Sequence, residues 1–215
     1  MANFDDKVIL KQAWFHTPNI EAEVIVVGIT PGKNQLKGDK DGDASLENKK
    51  KYAFHGLRNS IEGMLSYISV DKLLGLDSCH SIWYDDFYKF DFTSLIKDAA
   101  FVKSGSRISG FKEVERIEES IKLKQKFDEF VEDCKNYHKA KLFVACGHKV
   151  YDVLMMLKEK GVIKVPVVAI AHPSKNNQIR VEYYQGKEEK TLTECKEDSE
   201  VAKSIVANLY REINK

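Results

Sequence analysis

The sequence predicts a three-layer α/β fold with a central four-stranded parallel sheet. Residues 23–28 (EVIVVG) and 141–147 (KLFVACG) are continuous apolar runs that end in glycine. A continuous run, rather than an alternating one, is typical of a strand that is covered on both faces. Segments of helical period lie between these runs, and this alternation favours right-handed crossovers between parallel strands.

The strands are predicted in chain order from apolar content and from glycine or proline punctuation. The first and third are the runs just described, the second covers 88–94, and the fourth covers 165–171. Pro166 lies near the start of the fourth run, a position that suits an edge strand or the first residues of a strand.

Apolar residues with helical spacing predict the helices that connect and cover these strands. The predicted helices are 56–69, 110–138, 148–160 and 198–214. Gly161 is expected to end the third of them, and Asp198 or Ser199 is expected to cap the last.

Two polar segments interrupt the α/β pattern. Residues 33–51 form a charged, glycine-containing stretch directly after the first strand, and we expect either a functional loop or a mobile one. Residues 178–196 contain two short strand-like runs around a central glycine, which suits a small hairpin or an irregular excursion equally.

Composition favours one soluble domain spanning residues 1–215. The 215 residues include 34 basic and 33 acidic side chains, giving a net charge of +1. No global basic field marks a polyanion partner, so any such site must be local. No run is long and apolar enough for a membrane span, and the first residues do not resemble a secretion signal, so we expect a cytoplasmic protein without a membrane partner.

Cysteine and histidine spacing predicts neither a metal nor a cofactor. The four cysteines lie far apart without a C-x-x-C pair, so buried thiols are expected. The six histidines show no H-x-x-x-H spacing. Nucleophilic catalysis is also disfavoured, because Ser174 lacks a G-x-S-x-G context and Cys146 lies within an apolar strand.

Ligands of open α/β sheets bind beyond the carboxyl ends of the strands, so the segments that follow each strand are the candidate site. The first strand leads into 28–35 (GITPGKNQ), a tight turn whose backbone N–H groups and Lys33 could face an anion. The alternative is a plain turn without a ligand. The turn lacks the spacing of a P-loop or of a dinucleotide-binding fingerprint.

The fourth strand leads into 171–177 (AHPSKNN), where His172 opens a polar turn suited to phosphate contacts. The second strand places Ser94 and Lys97 at the same edge. Phe54, before the first long helix, is either a core residue or a platform on which a base stacks.

Together, these segments resemble the uracil-DNA glycosylase superfamily. The resemblance rests on an ordered set of short motifs across residues 23–177, none of them specific alone. They are GITPG at 28–32, FHG at 54–56, FDFTSLIK at 90–97, LFVACGHK at 142–149 and HPS at 172–174.

The resemblance implies that the protein binds DNA and cleaves the N-glycosidic bond of a base flipped out of the helix. His172 would donate to the pyrimidine O2, and Thr30 or Asn34 would orient the water. The implied substrate-binding residues are Gly28, Ile29, Pro31, Gly32, Phe54 and Ser94. The implied DNA-binding residues are Lys33, Lys97, Ser174, Lys175, Asn176 and Asn177, and the lysines at 49–51 are further candidates.

Three departures from the family pattern alter this expectation. Thr30 stands where many members have aspartate or asparagine, so Gln35, Asp39, Asp41 or Asp43 are alternatives for orienting the water. Ser94 replaces the asparagine that reads the uracil edge, which favours a different or bulkier base. The cysteines that bind an iron–sulfur cluster in one branch are absent.

The sequence therefore predicts a glycosylase for a deaminated, damaged or modified base, with a modified base of phage DNA as one option. A catalytically silent nucleic-acid-binding module is the first alternative. An unrelated nucleotide or nucleoside hydrolase is the second. The oligomeric state cannot be read from the sequence.

Overall fold

The computed structural model describes residues 4–14, 17–36, 42–174, 177–184 and 193–215, with the backbone alone at 193–198. Its strands are β1 (Val8–Lys11), β2 (Val24–Gly28), β3 (Phe90–Ser94), β4 (Ala99–Ser104), β5 (Arg107–Gly110), β6 (Leu142–Cys146) and β7 (Val167–Ile170). Its α-helices are α1 (Phe4–Lys7), α2 (Lys33–Leu36), α3 (Leu46–Tyr52), α4 (Arg58–Tyr67), α5 (Val70–Leu74), α6 (Ile121–Asn136), α7 (His148–Glu159), α8 (Gln178–Tyr184) and α9 (Thr193–Ile213).

Four strands form the predicted parallel sheet, in the order β3-β2-β6-β7. Val24 of β2 lies opposite Phe90 of β3 on one side and Leu142 of β6 on the other, and Phe143 lies opposite Val167 of β7. All pairings are parallel, so the four carboxyl ends meet at one edge. The predicted fold class is confirmed.

Helices cover both faces of this sheet, which explains the continuous apolar runs. Val24 and Val26 of β2 point into a core completed by α4, α5 and α9. Ile25 and Val27 point into a second core, which α6 and α7 complete. Because neighbouring residues of a strand face opposite sides, every position of β2 is apolar and buried.

A second sheet, which the sequence analysis did not predict, has the antiparallel order β1-β4-β5. Val8 of β1 lies opposite Val102 of β4, although the two are far apart in the chain. A two-residue turn at 105–106 joins β4 to β5, and Gly105 there has a φ of +58°. Glycine at the first turn position suits a tight hairpin.

Two of the predicted helices are close to the observed ones, and two differ. The helices expected at 56–69 and 148–160 correspond to α4 and α7. The helix expected at 110–138 is instead the end of β5, a 3-10 helix at Val114–Glu119 and then α6. Ser120 separates the last two because its hydroxyl accepts from the Leu123 N–H at 3.3 Å and caps α6.

The two polar interruptions contain helices. The 33–51 segment includes α2 and most of α3, while residues 37–41, with Asp39 and Asp41, lie outside the described residues. The hairpin considered for 178–196 is wrong over 178–184, because these residues form α8 and bury Val181 and Tyr184. Residues 185–192 lie outside the described residues, and α9 begins at Thr193, earlier than predicted.

A buried ion pair fastens α3 to the sheet. The Lys49 ammonium and the Asp91 carboxylate are both fully buried and in contact. Asp91 also accepts from the Tyr137 hydroxyl and, at 3.2 Å, from the Asn19 N–H. Lys49 donates to the Thr17 carbonyl at 2.5 Å. The expectation that Lys49 contacts DNA is therefore wrong, because its charge is already neutralised inside the protein.

Candidate active site

A cleft of about 660 Å³ opens at the carboxyl edge of the parallel sheet. The turn after β2 forms one side, and the loop after β7 together with the start of α7 forms another. The β4–β5 hairpin and α8 complete the walls. The lining residues are Ile29, Thr30, Pro31, Gly32, Lys33, Phe101, Gly110, Phe111, Lys112, Cys146, Gly147, His148, Lys149, Ile170, Ala171, His172, Ser174, Asn177, Arg180 and Tyr184.

His172 is held as a neutral hydrogen-bond donor. The Ser174 N–H donates to its Nδ1 at 3.3 Å, so in the neutral ring the proton lies on Nε2. Burial and, to a smaller extent, the charge of Lys112 lower the pKa of His172 below its usual value. The ring therefore stays uncharged at neutral pH and offers one N–H to a ligand in the cleft.

Gly147 allows His172 to lie close to the end of β6. The Gly147 N–H donates to the Ile170 carbonyl at 2.8 Å, which extends the β6–β7 pairing to this residue. Its φ is +95° and its ψ is 159°, a conformation that essentially only glycine adopts. A Cβ at this position would lie 3.3 Å from the His172 Cβ. The glycine thus permits both the backbone turn and the position of the imidazole.

The cleft is lined by cations and by no carboxylate of the described residues. The cations are Lys33, Lys112, Lys149 and Arg180. Lys149 is shared with Glu115, whose two oxygens lie 3.1 Å from its ammonium outside the cleft lining. Lys33 lies over the Phe101 ring, 5.9 Å from its centre. A chain with a net charge of +1 therefore carries a local positive site.

Thr30 lies in the cleft wall, and its hydroxyl joins the two sheets. It donates to the Asp98 carbonyl at 2.8 Å and accepts from the Ala100 N–H at 2.8 Å. The only proton of the hydroxyl and one acceptor position are thereby used. Its role in orienting water stays a prediction, with one lone pair left to accept from a water molecule.

Phe54, Ser94 and Gly28 form a separate buried group that is not part of the cleft lining. A Cβ on Gly28 would lie 3.5 Å from both the Phe54 ring and the Ser94 hydroxyl. Phe54 is only 7% exposed and makes an edge-to-face contact with Phe92 at 6.0 Å. The structure therefore brings these three residues together, one residue before the cleft-lining turn.

The other predicted residues are divided between the cleft and its surroundings. Ser174 and Asn177 line the cleft, whereas Lys97 does not and forms an ion pair with Asp133 at 2.7 Å. Asn34 is exposed on α2 outside the lining. The neighbouring Gln35 is buried, with its carbonyl accepting from the Gly32 N–H at 2.8 Å. Lys175 and Asn176 lie outside the described residues.

The antiparallel sheet supplies a wall of the cleft that is not among the predictions from sequence. Phe101, Phe111 and Lys112 come from the β4–β5 hairpin or directly follow it. Two strand-like runs around Gly105-Ser106 are a hairpin signal that could have indicated this element. Arg180 and Tyr184 were missed because the 178–184 segment was not expected to be helical.

Cysteine or metal chemistry receives no support from the described residues. Cys146 lines the cleft, but burial raises the pKa of its thiol to about 12, so it is neutral and a poor nucleophile. Within the described ranges, no three histidine, cysteine, aspartate or glutamate side chains gather as a metal site would require.

No helix in the described ranges is long and apolar enough to cross a membrane.

Comparison with known proteins gives a distant structural likeness and no match in sequence. No family model matches the chain, and no curated protein matches it. Among solved structures, the chain is similar to wild-type SMUG2 from Pedobacter heparinus, with a TM-score of 0.44 and 15% identity. The likeness covers 78% of this chain and 73% of that one. A similarity at this level carries no argument about activity.

Proposed function

We propose that the protein is a DNA glycosylase that hydrolyses the N-glycosidic bond of a flipped-out deaminated, damaged or modified base. One observation carries the proposal. His172 is a half-buried, neutral N–H donor in a cationic cleft, without a carboxylate of the described residues in its lining, at the carboxyl edge of a parallel sheet. Three of the five motifs that resemble the uracil-DNA glycosylase superfamily, at 28–32, 142–149 and 172–174, contribute residues to the cleft lining.

The chemistry of the reaction matches such a donor. When the bond between C1′ of the sugar and the base nitrogen breaks, the electron pair stays with the base, and negative charge spreads to its carbonyl oxygen. The Nε2–H of His172 would donate to that oxygen and stabilise the departing anion. Water then attacks C1′, and its proton is released to the base or to solvent.

The cations of the cleft suit the phosphates that flank a flipped nucleotide. Lys33 lies on the β2 side, and Lys112 and Arg180 lie on the hairpin and α8 sides. A volume of about 660 Å³ falls within the usual range for ligand pockets, about 300–1,000 Å³. A modified base, such as one that foreign DNA carries, stays a prediction of the sequence resemblance, because Ser94, which stands in place of the base-reading asparagine, lies outside the cleft lining.

The test is excision of a base from defined duplexes. Duplexes bearing uracil, hypoxanthine, a thymine mismatch or a bulky modified cytosine are incubated with the protein and treated with alkali, which breaks the strand at abasic sites. We expect strand breaks at the target position of at least one duplex, and loss of these breaks with His172→Ala. If folded wild-type protein produces none on any duplex, glycosylase activity is excluded for these bases.

A catalytically silent nucleic-acid-binding module is a second candidate, which one specific observation favours. The cleft has no carboxylate of the described residues among its lining, and the Thr30 hydroxyl already bonds to β4. A base that activates the water is therefore not evident. Binding of the same duplexes without strand breaks, and with unchanged affinity in His172→Ala, would support this candidate over the enzyme.

A further inference from the structure

The β4–β5 hairpin extends outward from the cleft wall and carries an exposed apolar side chain near its tip. Phe101 at its base lines the cleft, and Lys103 is two residues further along β4. The antiparallel register places Ile108 of β5 directly opposite Lys103. Because side chains of a strand alternate between faces, Phe101, Lys103 and Ile108 share one face of the hairpin.

Exposure rises sharply along this face. Phe101 is 4% exposed, whereas Ile108 is 47% exposed. The Lys103–Ile108 pair lies about 7 Å beyond Phe101 along the strand, which equals about two base steps of DNA. The tight turn at Gly105 and the pairing of β4 with β1 hold the hairpin as a structured element. An exposed isoleucine on such a support is a preformed apolar projection.

The charge of the hairpin matches a nucleic acid. From Ala99 to Gly110 it carries Lys103 and Arg107 and no carboxylate. Both cations are exposed, and neither has an ion-pair partner among the described residues. Phosphates on either side of the apolar projection would be the complementary groups.

We propose that Ile108 is a wedge that enters the base stack beside the flipped nucleotide, while Lys103 contacts the adjacent phosphate. This inference rests on the proposed function and adds the element that holds the duplex open. Apolar side chains inserted between base steps partly unstack them, and the energy lost is recovered from contacts with the protein. A wedge of this kind favours flipping from a duplex and has no task on a single strand, whose bases are already unstacked.

The test compares Ile108→Ala with Ile213→Ala, a matched control of 46% exposure on the last helix. The substrate is the panel base that wild type excises fastest, in a duplex and in the same strand alone. We expect Ile108→Ala to slow single-turnover excision from the duplex by about tenfold, through loss of buried apolar area, and to leave the single strand unaffected. Equal effects on both forms of DNA, or no effect on either, would overturn the wedge.

A second measurement separates the wedge from the glycosylase activity. The probe is a duplex with tetrahydrofuran, an uncleavable abasic analogue, beside 2-aminopurine, whose fluorescence rises when it unstacks. We expect wild type and Ile213→Ala to raise the fluorescence and Ile108→Ala not to do so at saturating protein. If wild type gives the rise but excises no base, the enzyme proposal fails and the wedge stands.

Size-exclusion chromatography of the free proteins tests the alternative that a second copy of the chain, rather than DNA, binds the hairpin. If wild type is an oligomer and Ile108→Ala alone becomes a monomer, the hairpin is an interface between copies of the chain and the wedge is wrong. We expect the two proteins to elute together.

Discussion

Charged side chains are buried and paired at one end of the parallel sheet and open to the cleft at the other. Near the amino end of β3, Asp91 and Lys49 are fully buried and neutralise each other, with Tyr137 and backbone groups completing their hydrogen bonds. At the carboxyl edge, Lys33 and Lys112 face an open cleft with no carboxylate lining it among the described residues. The positions of lysines in the sequence therefore do not locate a ligand site, because a polyanion can reach Lys33 and Lys112 but not the buried Lys49.

Asp91→Asn is expected to give the largest effect, and the effect is on stability. It leaves the Lys49 charge buried without its counter-charge, so the free energy of unfolding should fall by about 3–5 kcal/mol. Chemical denaturation measures this, and Glu132→Gln, at an exposed ion pair with Lys135, is a control that should change little. A loss of activity per folded molecule without a loss of stability would mean that this end of the sheet also serves the site.

His172→Ala tests the other end, and here the effect is on rate. Removing one donor to a developing oxyanion should lower the single-turnover rate by about 10²–10³-fold. The thermal midpoint should move little, because the imidazole accepts a local hydrogen bond from the Ser174 N–H and has no other hydrogen bond to the part of the chain that the structure describes. His138→Ala, an exposed histidine at the amino side of β6, is the control. Comparable rate losses in both variants would remove His172 from the reaction.

Gly147→Ala should give an intermediate effect on both properties. Forcing alanine into this backbone conformation costs about 1–3 kcal/mol, and its Cβ would press on the Cβ of His172. Gly161→Ala is a matched control, with a φ of +73° and no atom within 4 Å of the added carbon. Both variants should unfold at lower denaturant concentration, but only Gly147→Ala should lose excision rate. An unchanged rate would show that the imidazole position tolerates displacement.

Lys112→Gln should give the smallest effect, a modest loss of affinity for DNA from the removal of one cation and a shift in the pH dependence. Lys112 lowers the pKa of His172 but less than burial does, so its removal raises that pKa part of the way towards the usual value. Neutral His172 is the active form in the proposed reaction, so activity should fall as pH drops through its pKa. The acid limb of the kcat/KM profile should therefore shift to higher pH in the variant. A shift to lower pH would contradict the assignment of the neutral form.

The parallel sheet and its carboxyl-edge turns could be predicted from sequence because their signals are local. Apolar runs that end in glycine predict β2 and β6, and the polar turns after β2 and β7 do line the cleft. The sequence predicts that His172 lies at this edge but not which tautomer it adopts. The hydrogen bond from the Ser174 N–H, which selects the tautomer, depends on backbone geometry.

The rest depends on contacts between distant parts of the chain. The β1–β4 pairing joins residues separated by about ninety positions, so no local pattern reveals the hairpin wall. Lys49 is similar in sequence to its neighbours Lys50 and Lys51, and only the fold shows that Asp91 faces it. Likewise, the sequence does not distinguish whether Phe54 stacks on a base or packs in the core. Its contact with Phe92 is visible only in the three-dimensional structure.

The Thr30 hydroxyl connects two walls of the cleft, the turn after β2 and the start of β4. Its bonds to Asp98 and Ala100 attach the turn after β2 to the first residues of β4, and the backbone bond from Ile96 to Ile29 lies beside them. The hairpin and the turn are therefore linked at their base by side-chain and backbone hydrogen bonds. We therefore expect DNA bound at the exposed tip of the hairpin to affect the position of the turn after β2, which lines the cleft.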